Sequence, residues 1–387
     1  MKRTCIMLYV ALTALSSLAT PTITGVTAKQ RYPWNGKVDI TYTLAGEVER
    51  LISDSLSVTA TDNASGTTYT AASSALSGDT RTAAGAHHIV WDLNAQGLEI
   101  KSDDMVFTVA YDIAQYCVID LSAGASASSY PVIYLAELPS GGFNTDEYKT
   151  TKLVLKLVEA GTFIMGGGSD ESRRVTLTKP FYCGLFEVTQ KQYELVMGSN
   201  PCSSTFYGKG DAYPVHYVSY NNIRGSSSGA QWPVSNAVDA SSFLGRLRAR
   251  TGLDFDLPTE AQWEYACRAG TTTHYCYGNY TNGNYMWYDR ISSSQTHEVG
   301  TKQPNPWGLY DMHGNVSEWC LDWLSDALAY GTDPKGPSSS VGWWGRVLRG
   351  GSFYDDSSYC SSSYRSYRNP SEDSTSLGFR LARVLDK

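Results

Sequence analysis

Leu257-Pro258-Thr259-Glu260-Ala261-Gln262-Trp263-Glu264-Tyr265-Ala266 is the stretch on which the fold turns. Thr259 and Gln262 have the spacing of a capping box, so a helix opens directly after Thr259. Trp263, Ala266 and Cys267 then share one face, and Gly270 stops the helix. Cys267 reads as a core residue here, because a buried thiol packs as a small hydrophobe.

Two more helices lie upstream. Thr189 and Gln192 repeat the capping box, with Val188 and Tyr193 placed as a hydrophobic staple, and Gly198 ends that helix. Another spans about 236–250, with Phe243, Leu244 and Leu247 on one face and Gly252 after it. The domain carrying these helices starts near Thr151, with a strand over Leu153–Val158. Gly166-Gly167-Gly168 follows Met165; with no Gly-Lys-Ser/Thr behind it, the triplet reads as a tight turn and not a phosphate loop. Beyond 270 the chain is rich in Gly, Asn, Ser, Tyr and Trp, without long regular elements.

The N-terminal half reads differently. Val38–Thr43, Leu56–Thr61, Thr67–Thr70, His88–Leu93 and Met105–Tyr111 are short β-branched or alternating runs separated by turn residues. They predict a small antiparallel sandwich over 29–120 of immunoglobulin or fibronectin type, with Trp91 as its buried aromatic. Residues 121–150 have linker composition around one short strand, Val132–Leu138, and 151–387 form the second domain. At the start, Lys2 and Arg3 precede an apolar run too short to span a membrane, so 1–28 reads as an export signal cleaved after Ala19 or Ala28.

Composition narrows the partners. A net charge of −7 without a basic stripe argues against capture of nucleic acid or an acidic membrane surface. With Cys5 in the leader, Cys117, Cys183, Cys202, Cys267, Cys276, Cys320 and Cys360 remain, an odd number whose pairing spacing cannot give. Cys-x-x-Cys, His-x-x-x-His and His-Glu-x-x-His are all absent, which disfavours a zinc knuckle or a histidine-held iron.

Four segments carry a family resemblance: Phe163-Ile164-Met165-Gly166 with Phe186-Glu187-Val188-Thr189; the 257–266 stretch; Pro306-Trp307-Gly308-Leu309-Tyr310-Asp311-Met312-His313-Gly314-Asn315-Val316 with Glu318-Trp319; and Arg346-Val347-Leu348-Arg349-Gly350-Gly351-Ser352 closing with Gly378-Phe379-Arg380. In this order they resemble the formylglycine-generating enzyme, or sulfatase-modifying factor, family. The resemblance implies an α+β, C-type-lectin-like fold with few regular elements. It also implies an oxidase that turns a sulfatase cysteine into formylglycine with O₂ and Cu(I) held by two cysteines after Gly-Gly-Ser.

Here that segment departs from the pattern. Counting from Gly350-Gly351-Ser352 places Asp355 at the first cysteine and Cys360 at the second, whereas counting back from Gly378-Phe379-Arg380 shifts the register. Soft Cu(I) prefers thiolates, and one thiol with a hard carboxylate is a poor set. Ser317 also stands where the family has an active-site Trp. Ser352 and Cys360 are thus the catalytic candidates if copper chemistry persists, with a sulfatase peptide as partner. For calcium, the resemblance points to Asp311, Gly314, Val316 and Glu318, hard oxygens from one loop.

Residues 353–376 hold four Tyr and nine Ser among 24, the mixture that antibody loops use for adaptable contact. Some lectin-like members of the family are diversified by retroelements in such a segment. Tyr354, Asp355, Tyr359, Tyr364 and Tyr367 are the candidate ligand-binding residues, and an extracellular protein or glycan is the expected partner. A non-catalytic binding protein and a copper oxidase are the two readings to separate.

Overall fold

The computed structural model describes residues 21–385 except 33–34, 47, 53–54, 101, 103, 168–172, 203, 341 and 343–344. The export-signal reading falls mostly on residues 1–20 and so lies outside the described residues. The chain divides into two compact units, the second running from Gln115 to Asp386.

The first unit contains β1 (Thr22–Gln30), β2 (Lys37–Ala45), β3 (Ser57–Asp62), β4 (Thr68–Thr70), β5 (Leu76–Gly78), β6 (Gly85–Asp92) and β7 (Met105–Ala110). They form two antiparallel sheets, ordered β1-β2-β6-β5 and β4-β3-β7. The β2 strand alternates buried Val38, Ile40, Tyr42 and Leu44 with more exposed partners, so one face of its sheet packs on the other sheet through Val58, Ala60 and Val109. Trp91 is fully buried, and its Nε1–H reaches Gln96 Oε1 at 2.6 Å. Strand β1 was hidden by the leader reading: it pairs with β2 from Thr22 to Gln30, so residues 22–28 belong to the sheet.

The second unit starts earlier than the linker composition of 121–150 indicates. It comprises β8 (Tyr116–Asp120), β9 (Val132–Leu135), α1 (Asp146–Thr150), β10 (Lys152–Val158), β11 (Gly161–Ile164), β12 (Arg174–Leu177), β13 (Phe181–Gly184), α2 (Gln190–Met197), α3 (Tyr220–Arg224), α4 (Phe243–Thr251), α5 (Glu260–Arg268), β14 (Ser317–Trp323), β15 (Gly331–Thr332), β16 (Arg346–Arg349), β17 (Ser366–Arg368), β18 (Leu377–Gly378) and β19 (Ala382–Val384). The main sheet runs β19-β13-β10-β8-β9. Tyr116–Asp120 and Val132–Leu135 are therefore sheet strands of this unit, joined to β10 by a ladder, and 121–150 is no free linker.

Central β10 explains the layering. Leu153, Leu155 and Leu157 face a core that includes residues of α2 and α4, while Val154 and Val158 face a second core with Trp263 and Ala266 of α5. A strand covered on both faces reads as a near-continuous apolar run, as Leu-Val-Leu-Lys-Leu-Val does. Two smaller sheets, β11-β12-β15 and β17-β16-β14-β18, complete the α+β architecture.

Both expected capping boxes are present at Thr189/Gln192 and Thr259/Gln262, and Ser219/Asn222 forms one for α3. Helix α4 begins at Phe243, later than its apolar period indicates. Asp239 draws the preceding chain away from the helix by accepting the Ser227, Ser228 and Gly229 N–H groups, and Ser242 caps the helix instead. From 271 to 316 the described chain has neither helix nor strand. Side chains hold it: Asn305 donates to the Ala266 carbonyl at 2.7 Å and accepts the Trp307 and Leu309 N–H groups at 3.0 Å.

Candidate functional site

Helix α5 and strands β14 and β16 build a buried ionic frame beneath the Gly-Gly-Ser loop. Glu318 pairs in β14/β16 register with Arg349. Glu264 accepts from the Gly166 N–H at 2.7 Å, from Arg268 Nε at 2.8 Å and from Arg349. Arg268 returns to the Gly166 carbonyl at 2.9 Å, so Gly166 is a turn clamped by α5, as the absence of a phosphate-loop motif implies. Gly168 lies outside the described residues. Charges buried this deeply persist only when paired, and the pairing fixes Arg349 and hence the residues that follow it.

Gly350 and Gly351 then take left-handed backbone, φ +90° and +66°. Gly351 has no room for a side chain: a Cβ there would sit 2.7 Å from the Tyr359 carbonyl and 2.8 Å from Cys360 Sγ. Ser352 is buried, and both its backbone N–H (2.8 Å) and its hydroxyl (2.7 Å) donate to Asp355 Oδ2. Asp355 thus closes a local turn.

Cys360 is fully buried beside Tyr275 and Met286. Its carbonyl lies 2.7 Å from His313 Nδ1, while His313 Nε2 accepts the Cys276 N–H at 3.2 Å. The second contact makes Nδ1 the protonated nitrogen that donates to Cys360. Burial first, then the neighbouring Asp355, Asp356 and Asp289, pushes the Cys360 thiol well above its usual range. A neutral thiol among carboxylates, with its expected partner sulfur replaced by a hydrogen-bonded Asp355, does not fit Cu(I). Ser352 likewise spends its hydroxyl proton on the Asp355 carboxylate that closes its own turn, and its Oγ accepts the Tyr354 N–H. In the sequence His313 stands only as part of the 306–316 motif; the fold brings it to Cys360.

The calcium candidates share one loop but not one open cage. Glu318 is fully buried, with Arg380 Nε and Nη2 each at 2.6 Å and Trp263 Nε1 at 2.7 Å. Its two oxygens are closed off by a guanidinium and an indole, so Glu318 does not fit as a calcium ligand. Asp311 accepts the Gly300 N–H at 2.7 Å through Oδ2, whereas its buried Oδ1 has no partner. Gly314 and Val316 are buried too, the latter's N–H donating to Glu187 at 3.0 Å. Around Arg380 there are thus three carboxylates. Burial raises Asp311 to about 6, and burial with the Asp311 and Glu318 charges holds Glu187 well above the usual carboxylate range. Among the described residues no cluster of three or more His, Cys, Asp or Glu is arranged to hold a metal.

The tyrosines, by contrast, face outward. Tyr354 and Tyr359 are 45% exposed and Tyr367 40%, while half-buried Tyr364 packs its ring 4.8 Å from that of Tyr359. Asp355 differs from these four, being turned to Ser352. Arg365 anchors the segment from within through Glu260 at 2.7 Å. Sequence reasoning missed a second contributor: Tyr207 lies 6.2 Å from the Tyr354 ring, and Phe206, 4.8 Å from Tyr207, is 68% exposed. Tyr217, with left-handed backbone, ties this region to the segment by donating its N–H to the Ser374 carbonyl at 2.9 Å. An exposed Phe-Tyr pair in a Ser-, Gly- and Lys-containing loop was the available signal.

The frame, the Gly-Gly-Ser loop and the motif order define a sulfatase-modifying factor domain. Residues 141–385 match the family model for the sulfatase-modifying factor enzyme 1-like domain, and the chain belongs to that family. It is 27% identical over 322 residues to the formylglycine-generating enzyme of Mus musculus, covering 69% of this chain and 85% of that protein. It is 32% identical over 206 residues to the chaperone protein LppX of Paenibacillus barcinonensis, covering 44% and 72%. Among solved structures, Treponema denticola variable protein 1 aligns at 30% identity and TM-score 0.47, over 60% of this chain and 95% of that one. No helix among the described residues is long and apolar enough to cross a membrane.

Proposed function

We propose that this protein is an exported, non-catalytic member of the family that binds an extracellular protein or glycan through the tyrosines of 353–376, flanked by Phe206 and Tyr207. One observation carries the reading: Asp355, which counting from Gly350-Gly351-Ser352 sets at a cysteine position of the family, is bonded to Ser352, while the thiol of Cys360 is buried and held protonated. Catalysis through paired thiolates needs both sulfurs accessible; a binding face needs neither. The exposed rings supply contact area with little side-chain entropy to lose.

The test is anaerobic Cu(I) loading of the purified chain, then air and a cysteine-containing sulfatase-type peptide, with peptide mass read for the aldehyde. No aldehyde is expected beside an active family member run in parallel. Aldehyde that disappears in Cys360→Ser would establish the oxidase reading instead. On the binding side, Tyr354→Ser with Tyr359→Ser leaves the melting temperature unchanged and abolishes capture of whichever glycan or protein an array identifies.

A further inference from the structure

Three loops of the second unit meet at the tyrosine segment. Phe206 and Tyr207 sit on one. The segment itself is another, and the third is 274–290. There the Tyr275 hydroxyl donates to the Ser357 carbonyl at 3.0 Å, Thr281 Oγ1 donates to Ser357 Oγ at 2.9 Å, and the Asp289 N–H donates to the Asp355 carbonyl at 3.1 Å. These contacts hold Tyr280 next to the segment, 87% exposed. Phe206, Tyr280, Tyr354 and Tyr359 thus leave large rings in water on adjoining loops, and exposed aromatic surface gathered in this way marks a docking face.

The charges among these rings select the occupant. Asp355 and Asp356 lie between Tyr354 and Tyr359 in the chain, and Asp289 is tied to Asp355 by its backbone. Asp355 accepts from Ser352 through Oδ2, and Asp356 accepts the Ser358 N–H and hydroxyl through Oδ1 at 3.0 and 2.8 Å. Asp355 Oδ1, Asp356 Oδ2 and the exposed Asp289 carboxylate are left without an ion pair among the described residues. The Ser358 hydrogen bonds, and more weakly the Arg290 charge, hold Asp356 below the usual carboxylate range. All three carboxylates bear on the Cys360 thiol, so they share one short span. Gathered carboxylates repel one another, a cation from a partner relieves that repulsion, and a tyrosine face attracts the same cation. The chain's net charge of −7 acts in the same sense on approach.

We infer that the tyrosine face docks a protein through a cationic segment, its Arg or Lys side chains lying on the rings of Tyr280, Tyr354 and Tyr359 with their charges set against Asp289, Asp355 and Asp356. The inference rests on the binding reading above and narrows it: a neutral glycan would leave these charges uncompensated, whereas a basic segment pairs with them. It also adds Tyr280, and the loop that carries it, to the residues that decide specificity.

The probes are a flexible Gly/Ser peptide with arginines at intervals, its lysine version, and its citrulline version, which keeps the planar side chains and removes their charge. Calorimetry on the full chain should show saturable binding of the charged peptides that weakens as salt is raised, and none of the citrulline peptide. Asp289→Asn with Asp356→Asn keeps the acceptor for Ser358, so the melting temperature should hold while affinity falls about tenfold or more. Tyr280→Ser should weaken binding as well, whereas Asp254→Asn, which removes an exposed charge outside these loops, should change affinity by less than about twofold. Failure of both charged peptides to bind, equal binding of the citrulline peptide, or affinity indifferent to the paired Asp substitutions and to Tyr280→Ser would overturn the inference. The binding reading fails separately, when Tyr354→Ser with Tyr359→Ser alters capture of no array ligand. Should those substitutions abolish capture of a glycan that Asp289→Asn with Asp356→Asn leaves untouched, the binding reading stands and the cationic partner is overturned.

Discussion

Arg380 grips Glu318 with two parallel hydrogen bonds of 2.6 Å, both side chains fully buried. The pair joins the C-terminal Gly-Phe-Arg segment to the start of β14, across 62 residues of chain that contain the whole tyrosine segment. Two of the family's motifs are therefore the two halves of one ion pair, and what lies between them can vary while the frame stays closed.

Removing one charge of that pair leaves the other buried alone. Glu318→Gln should destabilise the protein by about 3–5 kcal/mol in chemical denaturation. Because the Arg380 guanidinium holds both carboxylate oxygens, the loss should be the same in calcium and in chelator. A wild-type protein that loses comparable stability on chelation alone would restore Glu318 as a ligand.

Gly351→Ala should be as informative for the loop. The substitution demands left-handed backbone from an alanine and sets its Cβ against the Tyr359 carbonyl and Cys360 Sγ. A loss of about 2 kcal/mol or more is expected. Exposed Tyr367→Ser, in the same segment, should cost almost nothing in the same measurement.

Much of this frame was legible beforehand, for identifiable reasons. Capping boxes are local, so Thr189 and Thr259 announced α2 and α5 unaided. The apolar run of Leu153–Val158 marked a strand, and the burial of both its faces came only with the fold. Strand β1 was masked by composition that an export signal shares, and β8 by its nearness to a Ser/Ala stretch; only sheet pairing assigns them. The site was harder still. That Asp355 bonds Ser352 is a turn geometry, and that Glu318 meets Arg380 is a contact over long sequence separation. Neither has a one-dimensional signature. The Phe206–Tyr207 contribution to the tyrosine face is likewise long-range.

Asp322 gives the pH dependence a definite sign. Burial, then the adjacent Glu260 charge, pushes its carboxyl up to about 7. Between the unfolded value near 4 and that folded value, the native state keeps a proton that the unfolded chain has lost. Stability should therefore fall as pH rises through this window, by up to about 1.4 kcal/mol per pH unit from this group, and level off above it. In Asp322→Asn the amide oxygen can still accept the Glu260 N–H, seen at 2.8 Å, and the decline should flatten. An unchanged slope in urea titrations from pH 4 to 7.5 would falsify the assignment.

The export reading predicts a particular mature end. Cleavage after Ala28 would leave only Lys29 and Gln30 of β1, exposing the β2 edge that β1 pairs along its length. Cleavage after Ala19 keeps the strand whole. N-terminal sequencing of the protein recovered from outside the cytoplasm should begin at Thr20; a start at Lys29 would mean that the unit folds without its edge strand.

Finally, the cysteines. Cys117, Cys183, Cys202, Cys267, Cys276, Cys320 and Cys360 are all buried and unpaired. Burial pushes Cys117, Cys183, Cys202 and Cys267 up to about 12, and the thiolate is the reactive form. Native protein should thus react with a disulfide reagent such as dithiobis-nitrobenzoate only as fast as it opens, whereas denatured mature chain should release seven equivalents. Five equivalents would reveal a disulfide formed on export. Since Cys360 is as inaccessible as the rest, Cys360→Ser should lower the denatured count by one and leave the native rate where it was; a drop in the native rate would show that its thiol is reachable after all, and would reopen the case for chemistry at that residue.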